Sequence, residues 1–169
     1  MNIPAVFLHP LYYQKGATLD FSNIHEQDIV SSPFKFDIAY SLGVFTTWQP
    51  WKDKLRSVPM LFLAWKEYEA SLVILHKSRE RHQVKKHMTQ VIAIFIQSLF
   101  WMNGQPVSEL AKWQKDVKAL RLKPINLEER LDFVMSQPEK YPAFIQIQQL
   151  INEIQKLFYK MQAVENLKK

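Results

Sequence analysis

Arg81, His82 and His87 lie in the segment His76-Lys77-Ser78-Arg79-Glu80-Arg81-His82-Gln83-Val84-Lys85-Lys86-His87, where dense positive charge, titratable groups and a predicted helix start coincide. An arginine stabilises negative charge on a phosphorane-like transition state and a histidine moves protons near neutral pH, so such a pair suits phosphodiester cleavage. With a helix beginning near Arg81, five residues separate Arg81 from His87, the two fall within two turns of each other, and His82 follows the arginine as a helper. The competing reading of the same residues is a solvated turn between two helices, with no catalytic residue. Metal binding fits less well, because His82 and His87 are five apart and point about 140° apart on a helix. Neither His76 nor Glu80 repairs that geometry, and His9 and His25 have no carboxylate cluster near them.

The charge around this segment gives a second line of reading. The chain of 169 residues has a net charge of +6, and residues 50–123 carry 14 Lys/Arg against 6 Asp/Glu, so the middle third is the basic part. Concentrated positive charge attracts phosphate polyanions and acidic partner surfaces. Lys77, Arg79, Arg81, Lys85 and Lys86 form one basic cluster; Lys112, Lys115 and Lys118, followed by Arg121 and Lys123, form another at steps of three on or near one helix. Trp113, and Trp48 and Trp51 beside Lys52, Lys54 and Arg56, are either stacking platforms for such a surface or core residues with the lysines facing water. A protein or a nucleic acid is the expected partner of the basic middle third, and the catalytic alternative calls for a homodimer. No nucleotide-binding glycine loop, nucleophile elbow or metal-ligand spacing is present, so no cofactor or metal is expected.

Only three glycines occur, and cysteine is absent, which excludes disulfides and thiolate chemistry and suits a reducing cytoplasm. The longest strongly apolar run, Val91 to Met102, contains Gln97 and Ser98 and is shorter than the ~18 residues of a membrane span. A soluble, cytoplasmic protein with no membrane association is expected. Its 47% hydrophobic and 13% aromatic content predicts one well-packed domain over residues 1–169.

The elements that must position these residues are helical. Ser57 and Pro59 predict a helix start, after which Leu61, Trp65, Tyr68, Leu72 and Leu75 repeat at steps of four and three. A second stripe, Val84, Met88, Val91, Phe95, Leu99 and Met102, ends at Asn103-Gly104, where glycine suits a left-handed stop. Two antiparallel helices broken near residues 78–82 are expected in preference to one continuous helix. Ser108 predicts a cap for a shorter helix through about Leu120, and Asn126 with Glu129 a capping box for a helix over 127–136. The last helix carries Phe144, Ile147, Ile151, Ile154, Phe158 and Met161, flanked by Leu150, Leu157 and Val164, on a face wide enough for two neighbours. The predicted fold is all-α: a main bundle over 59–166 with three long helices and several short ones. An aromatic-rich irregular region at 1–58, with short helices near 24–30 and 35–47, packs its rings on that bundle.

Two families resemble parts of this pattern. The Arg81–His87 spacing looks like the arginine–histidine motif of the HEPN ribonucleases, and that resemblance implies metal-independent action on RNA at a dimer interface. Phe62-Leu63-Ala64-Trp65-Lys66-Glu67, the Val91–Met102 helix and the Trp48–Trp51 lead-in together resemble the YpoC-like proteins of Bacilli, across most of the chain. That resemblance implies a small cytoplasmic all-helical protein without established activity, and it transfers no catalytic residue. Taken together, these readings favour a non-catalytic interaction module with a basic surface, with a nucleic-acid-binding protein and a HEPN-like ribonuclease as the alternatives.

Overall fold

The structure, a computed structural model, describes residues 1–169 and is all-helical. A 3-10 turn at Ala5–Phe7 precedes α1 (Asp28–Ser31) and α2 (Lys35–Ser41). A second 3-10 turn, Pro50–Lys52, leads into the long helices α3 (Lys54–Lys77) and α4 (Arg81–Met102). Two short helices, α5 (Trp113–Ala119) and α6 (Leu127–Ser136), come before the long α7 (Tyr141–Leu167). The chain therefore has the three long helices expected, broken between α3 and α4 rather than continuous.

α4 is the axis of the fold. Every residue from Val91 to Met102 is buried, so this stretch presents no wet face, unlike the single stripe its spacing predicts. A helix that is apolar all round must be enclosed on all sides. α3 and α7 pack along it, the Pro50–Lys52 turn joins them, and the N-terminal segment closes the remaining side, with the Tyr12 hydroxyl donating to Thr89 O at 2.7 Å. Of the rings in the first 58 residues, Phe7, Phe34 and Phe36 are buried and Tyr12 meets the edge of Phe34 at 5.0 Å, whereas Tyr40 and Phe45 are exposed, against the expectation that this region packs its rings inward. α7 contacts α4, α6 and α3, one neighbour more than its wide face predicts, and Val164 at its far end is exposed.

Two predicted helix starts and one predicted cap need correction. α3 begins at Lys54, so Pro59 lies inside it. The amide that Pro59 lacks would have bonded to Leu55 O, so the helix runs through the proline with one intrahelical bond fewer. Ser57 caps nothing and instead donates to Pro50 O at 2.7 Å, tying the 3-10 turn to the helix. Ser108 does not start α5, because the Leu110 and Ala111 amides donate to Val6 O at 2.7 and 2.9 Å and hold residues 108–112 against the N-terminal segment. The hydroxyl of Ser108 bonds Asp116 instead. α6 begins where predicted, but Asn126 has φ 55° and makes no side-chain cap, so the capping box is not formed.

No helix is long and apolar enough to cross a membrane.

Candidate functional site

The corner between α3 and α4 is built from the helix terminator itself. The Glu80 amide donates to Leu75 O at 3.1 Å and the Arg79 amide to His76 O at 3.2 Å, the paired bonds of a Schellman motif. That motif requires a left-handed residue, and Arg79 supplies it with φ 56°. α2 and α4 end with the same pair of bonds, but with Gly43 (φ 71°) and Gly104 (φ 76°) at the left-handed position. Only at the α3–α4 corner does that position carry a side chain, and an L-residue there costs about 1–2 kcal/mol.

The corner's cations are exposed and unpaired. Lys77, Arg79, Arg81, Lys85 and Lys86 all face solvent. The chain's five ion pairs use Lys35, Lys54, Arg56 and Arg130, and none involves this cluster. Glu80 at the N-cap of α4 makes no side-chain capping bond and no acidic residue follows it in the first turn, where Arg81 lies at the positive end of the helix dipole.

Arg81 and His87 face different spaces. Arg81 lines a depression of about 310 Å³ with His76, Arg79, Glu139, Lys140 and Tyr141. His87 lines another, of about 620 Å³, with Leu11, Tyr68, His82, Lys85 and Lys86. Six positions turn a helix by about 240°, leaving the two side chains about 120° apart, so a single copy of the chain does not bring them together. His82 shares the depression of His87. The His87 Nδ1 lies 2.9 Å from Gln83 O; a carbonyl only accepts, so Nδ1 carries the proton. The ring stands edge-on to Tyr68 at 5.5 Å.

His76 closes the first depression. Its ring stacks on Phe144 and meets the edge of Tyr141, each at 5.2 Å. Its Nε2 is buried with no hydrogen-bond partner, and burial pushes the ring below the ordinary histidine range. Here α7 contributes Lys140 and Tyr141, which lie about 60 residues from the corner and which sequence spacing did not single out. The available signal was Lys140-Tyr141-Pro142: proline marks a helix start, and a lysine stands where serine or aspartate would ordinarily cap it.

The second basic cluster is spread out. Lys112 precedes α5, Lys115 and Lys118 lie on it, and all three are exposed, while Trp113 and Val117 face the core. Lys123 turns back onto the carbonyls of Val117 and Lys118. The tryptophans offer no free stacking face. Trp51 and Trp113 are buried, and half-buried Trp48 donates to Asp53 at 2.8 Å with the Arg56 guanidinium 5.4 Å above its ring. Lys85 borders one depression with Trp113, Asp132 and Glu139, and none of Lys112, Lys115 and Lys118 shares it.

Two buried polar side chains were also missed. Asp37 accepts from the Trp101 indole at 3.0 Å and the Val107 amide at 2.7 Å through Oδ1, while Oδ2 has no partner. Burial pushes its carboxyl up to about 7 against the opposing pull of those two bonds. Gln97 accepts the Phe34 amide at 3.0 Å and donates to Ile29 O at 2.9 Å. Both residues secure the fold, and neither faces the corner's depressions. No three His, Asp or Glu side chains converge in metal-binding geometry.

A family model described as YpoC-like protein matches residues 55–166, which takes in nearly all of α3 and everything from the corner to α7. Uncharacterized protein YpoC of Bacillus subtilis (strain 168) is 36% identical over 115 residues, covering 68% of this chain and 70% of that protein. No solved structure matches.

Proposed function

This chain belongs to the YpoC-like family, and from that premise we propose that it is a non-catalytic interaction module whose α3–α4 corner receives a polyanionic partner. One observation carries this reading: Lys77, Arg79, Arg81, Lys85 and Lys86 are gathered at one corner, exposed, and left out of every ion pair in the chain. Exposed cations without internal partners keep their full field for a binding partner, and that field steers association and weakens with salt. The burial of Trp51 and Trp113 leaves Tyr141 as the exposed ring at the corner, one face where single-stranded nucleic acid stacks successive bases on several, which favours an acidic protein face over nucleic acid. Lys112, Lys115 and Lys118 extend the basic surface without sharing the corner's depressions.

A pull-down from lysate, run with and without nuclease and at rising salt, tests the proposal. Partners should be retained after nuclease, lost at high salt, and lost when Lys77, Lys85 and Lys86 are changed together to glutamate. Capture that disappears with nuclease would move the function to nucleic acid. Capture that survives the triple change would place the interface elsewhere.

A further inference from the structure

We propose that the depression between the α3–α4 corner and the start of α7 is a binding site for a phosphate monoester; this deepens the reading of the corner as an anion-facing surface and rests on it. The site is a concavity of about 310 Å³ into which Arg79, Arg81 and Lys140 converge with Glu139 as the opposing charge, none of the four in an ion pair. Their formal balance is +2. A phosphate monoester carries about −1.5 to −2 near neutral pH and matches it, whereas a single carboxylate leaves a positive charge uncompensated. Guanidinium groups present paired donors to phosphoryl oxygens, and two of them border the same space.

The backbone favours the same ligand. Two long helices, α4 and α7, begin at this depression, through Arg81 and Tyr141. Neither start has a side-chain cap or an acidic residue in its first turn; the amides of His82, Gln83 and Tyr141 have no partner within the chain, and two positive dipole ends face a region already rich in cations. Arranged that way without a ligand, the charges repel one another; a bound dianion reverses the sign of each interaction. The His76 ring, whose Nε2 is itself buried, and the half-exposed Tyr141 ring complete the wall, and Tyr141 provides an aromatic face for whatever the phosphoryl group is attached to. Arg79 holds its place here in the left-handed conformation, where α2 and α4 both use glycine.

Calorimetry and amide NMR titration of the full chain with inorganic phosphate, adenosine 5′-monophosphate and adenosine test this. Both phosphorylated probes should bind saturably and shift the amides of Arg79, His82 and Tyr141. Equal affinity would identify the phosphoryl group as the whole ligand; tighter binding of the nucleotide would show that the aromatic wall adds contacts. Arg79→Gly and Lys140→Ala should each weaken binding by about tenfold, the loss of one charge-assisted contact. Arg79→Gly keeps the helix terminator, so its loss of binding would not reflect unfolding, and melting curves verify this. Lys85→Ala with Lys86→Ala should leave phosphate binding intact while weakening polyanion capture, which separates failure of this site from failure of the corner as a partner surface. The proposal is overturned if neither phosphorylated probe binds saturably, if adenosine binds as well as its monophosphate, or if both single variants bind as the wild type does.

Discussion

Trp101 donates its indole N–H to Asp37 across 3.0 Å in a part of the core where neither side chain is exposed. The same carboxylate oxygen takes the Val107 amide, so one acid ties α2 to the last turn of α4 and to the loop beyond Gly104. Its other oxygen has no partner, and with the carboxyl pushed up to about 7 the folded chain keeps a proton that the unfolded chain releases near 3.8. Between those two values the folded state binds more protons, so this group's contribution is complete below about pH 4 and lost as pH rises through 7, by roughly 4 kcal/mol. Urea unfolding at a series of pH values should show this decline in the wild type and a flatter profile in Asp37→Asn, which keeps the acceptor and cannot ionise. An equal decline in both would assign the pH dependence to other groups.

Gln97 joins two backbone groups that have no other source of satisfaction in the core, the Phe34 amide and the Ile29 carbonyl. Phe34 itself sits at φ 63°, a strained value for a bulky residue, and the glutamine holds it there. Gln97→Leu fills similar space and leaves both groups buried without partners, at about 1–3 kcal/mol each, so chemical denaturation should show a loss of about 2–6 kcal/mol. A loss below about 1 kcal/mol would mean that the α1–α2 segment rearranges to satisfy itself.

How far these features could be read from sequence depends on the range of the interaction. The periodic positions Leu61, Trp65, Leu72, Val84, Met88 and Phe95 were legible because each stripe reports its own helix, and all of them are buried. The break near residue 79 was legible because polar, charged residues interrupt both stripes. Asp37 and Gln97 were not, since their partners lie 64 and 63 residues away and a lone polar residue in an apolar run does not name its partner. Ser57 and Ser108 misled for a related reason. A serine hydroxyl serves a helix cap or a distant group equally well, and here Pro50 and Asp116 take them. Lys140 and Tyr141 reach the corner only through tertiary packing.

Arg79 offers a substitution that should raise stability. Glycine at its left-handed position relieves about 1–2 kcal/mol of strain and forfeits about 0.5–1 kcal/mol of chain entropy, a net gain of up to about 1.5 kcal/mol. The side chain is exposed and makes no ion pair whose loss would offset this. Arg79→Gly should therefore melt a few degrees above the wild type in calorimetry, on the usual scale for a domain of this size. A lower melting temperature would show that the arginine contributes packing that outweighs its backbone cost.

The non-catalytic reading makes a strict prediction for RNA. Phosphodiester cleavage by an arginine and a histidine requires both to reach one phosphate, and Arg81 and His87 line separate depressions about 120° apart around α4. A second copy could supply the missing partner only by placing its His87 beside the first chain's Arg81. Any such activity would rise more steeply than linearly with protein concentration while the dimer is forming. Purified protein incubated with single-stranded RNA in chelator should leave the RNA intact at every concentration, as should Arg81→Ala and His87→Ala variants of matched melting temperature. Cleavage by the wild type that is lost in both variants would replace the interaction module with a ribonuclease. Cleavage equal in all three proteins would mark a contaminating nuclease and leave Arg81 to the anion site.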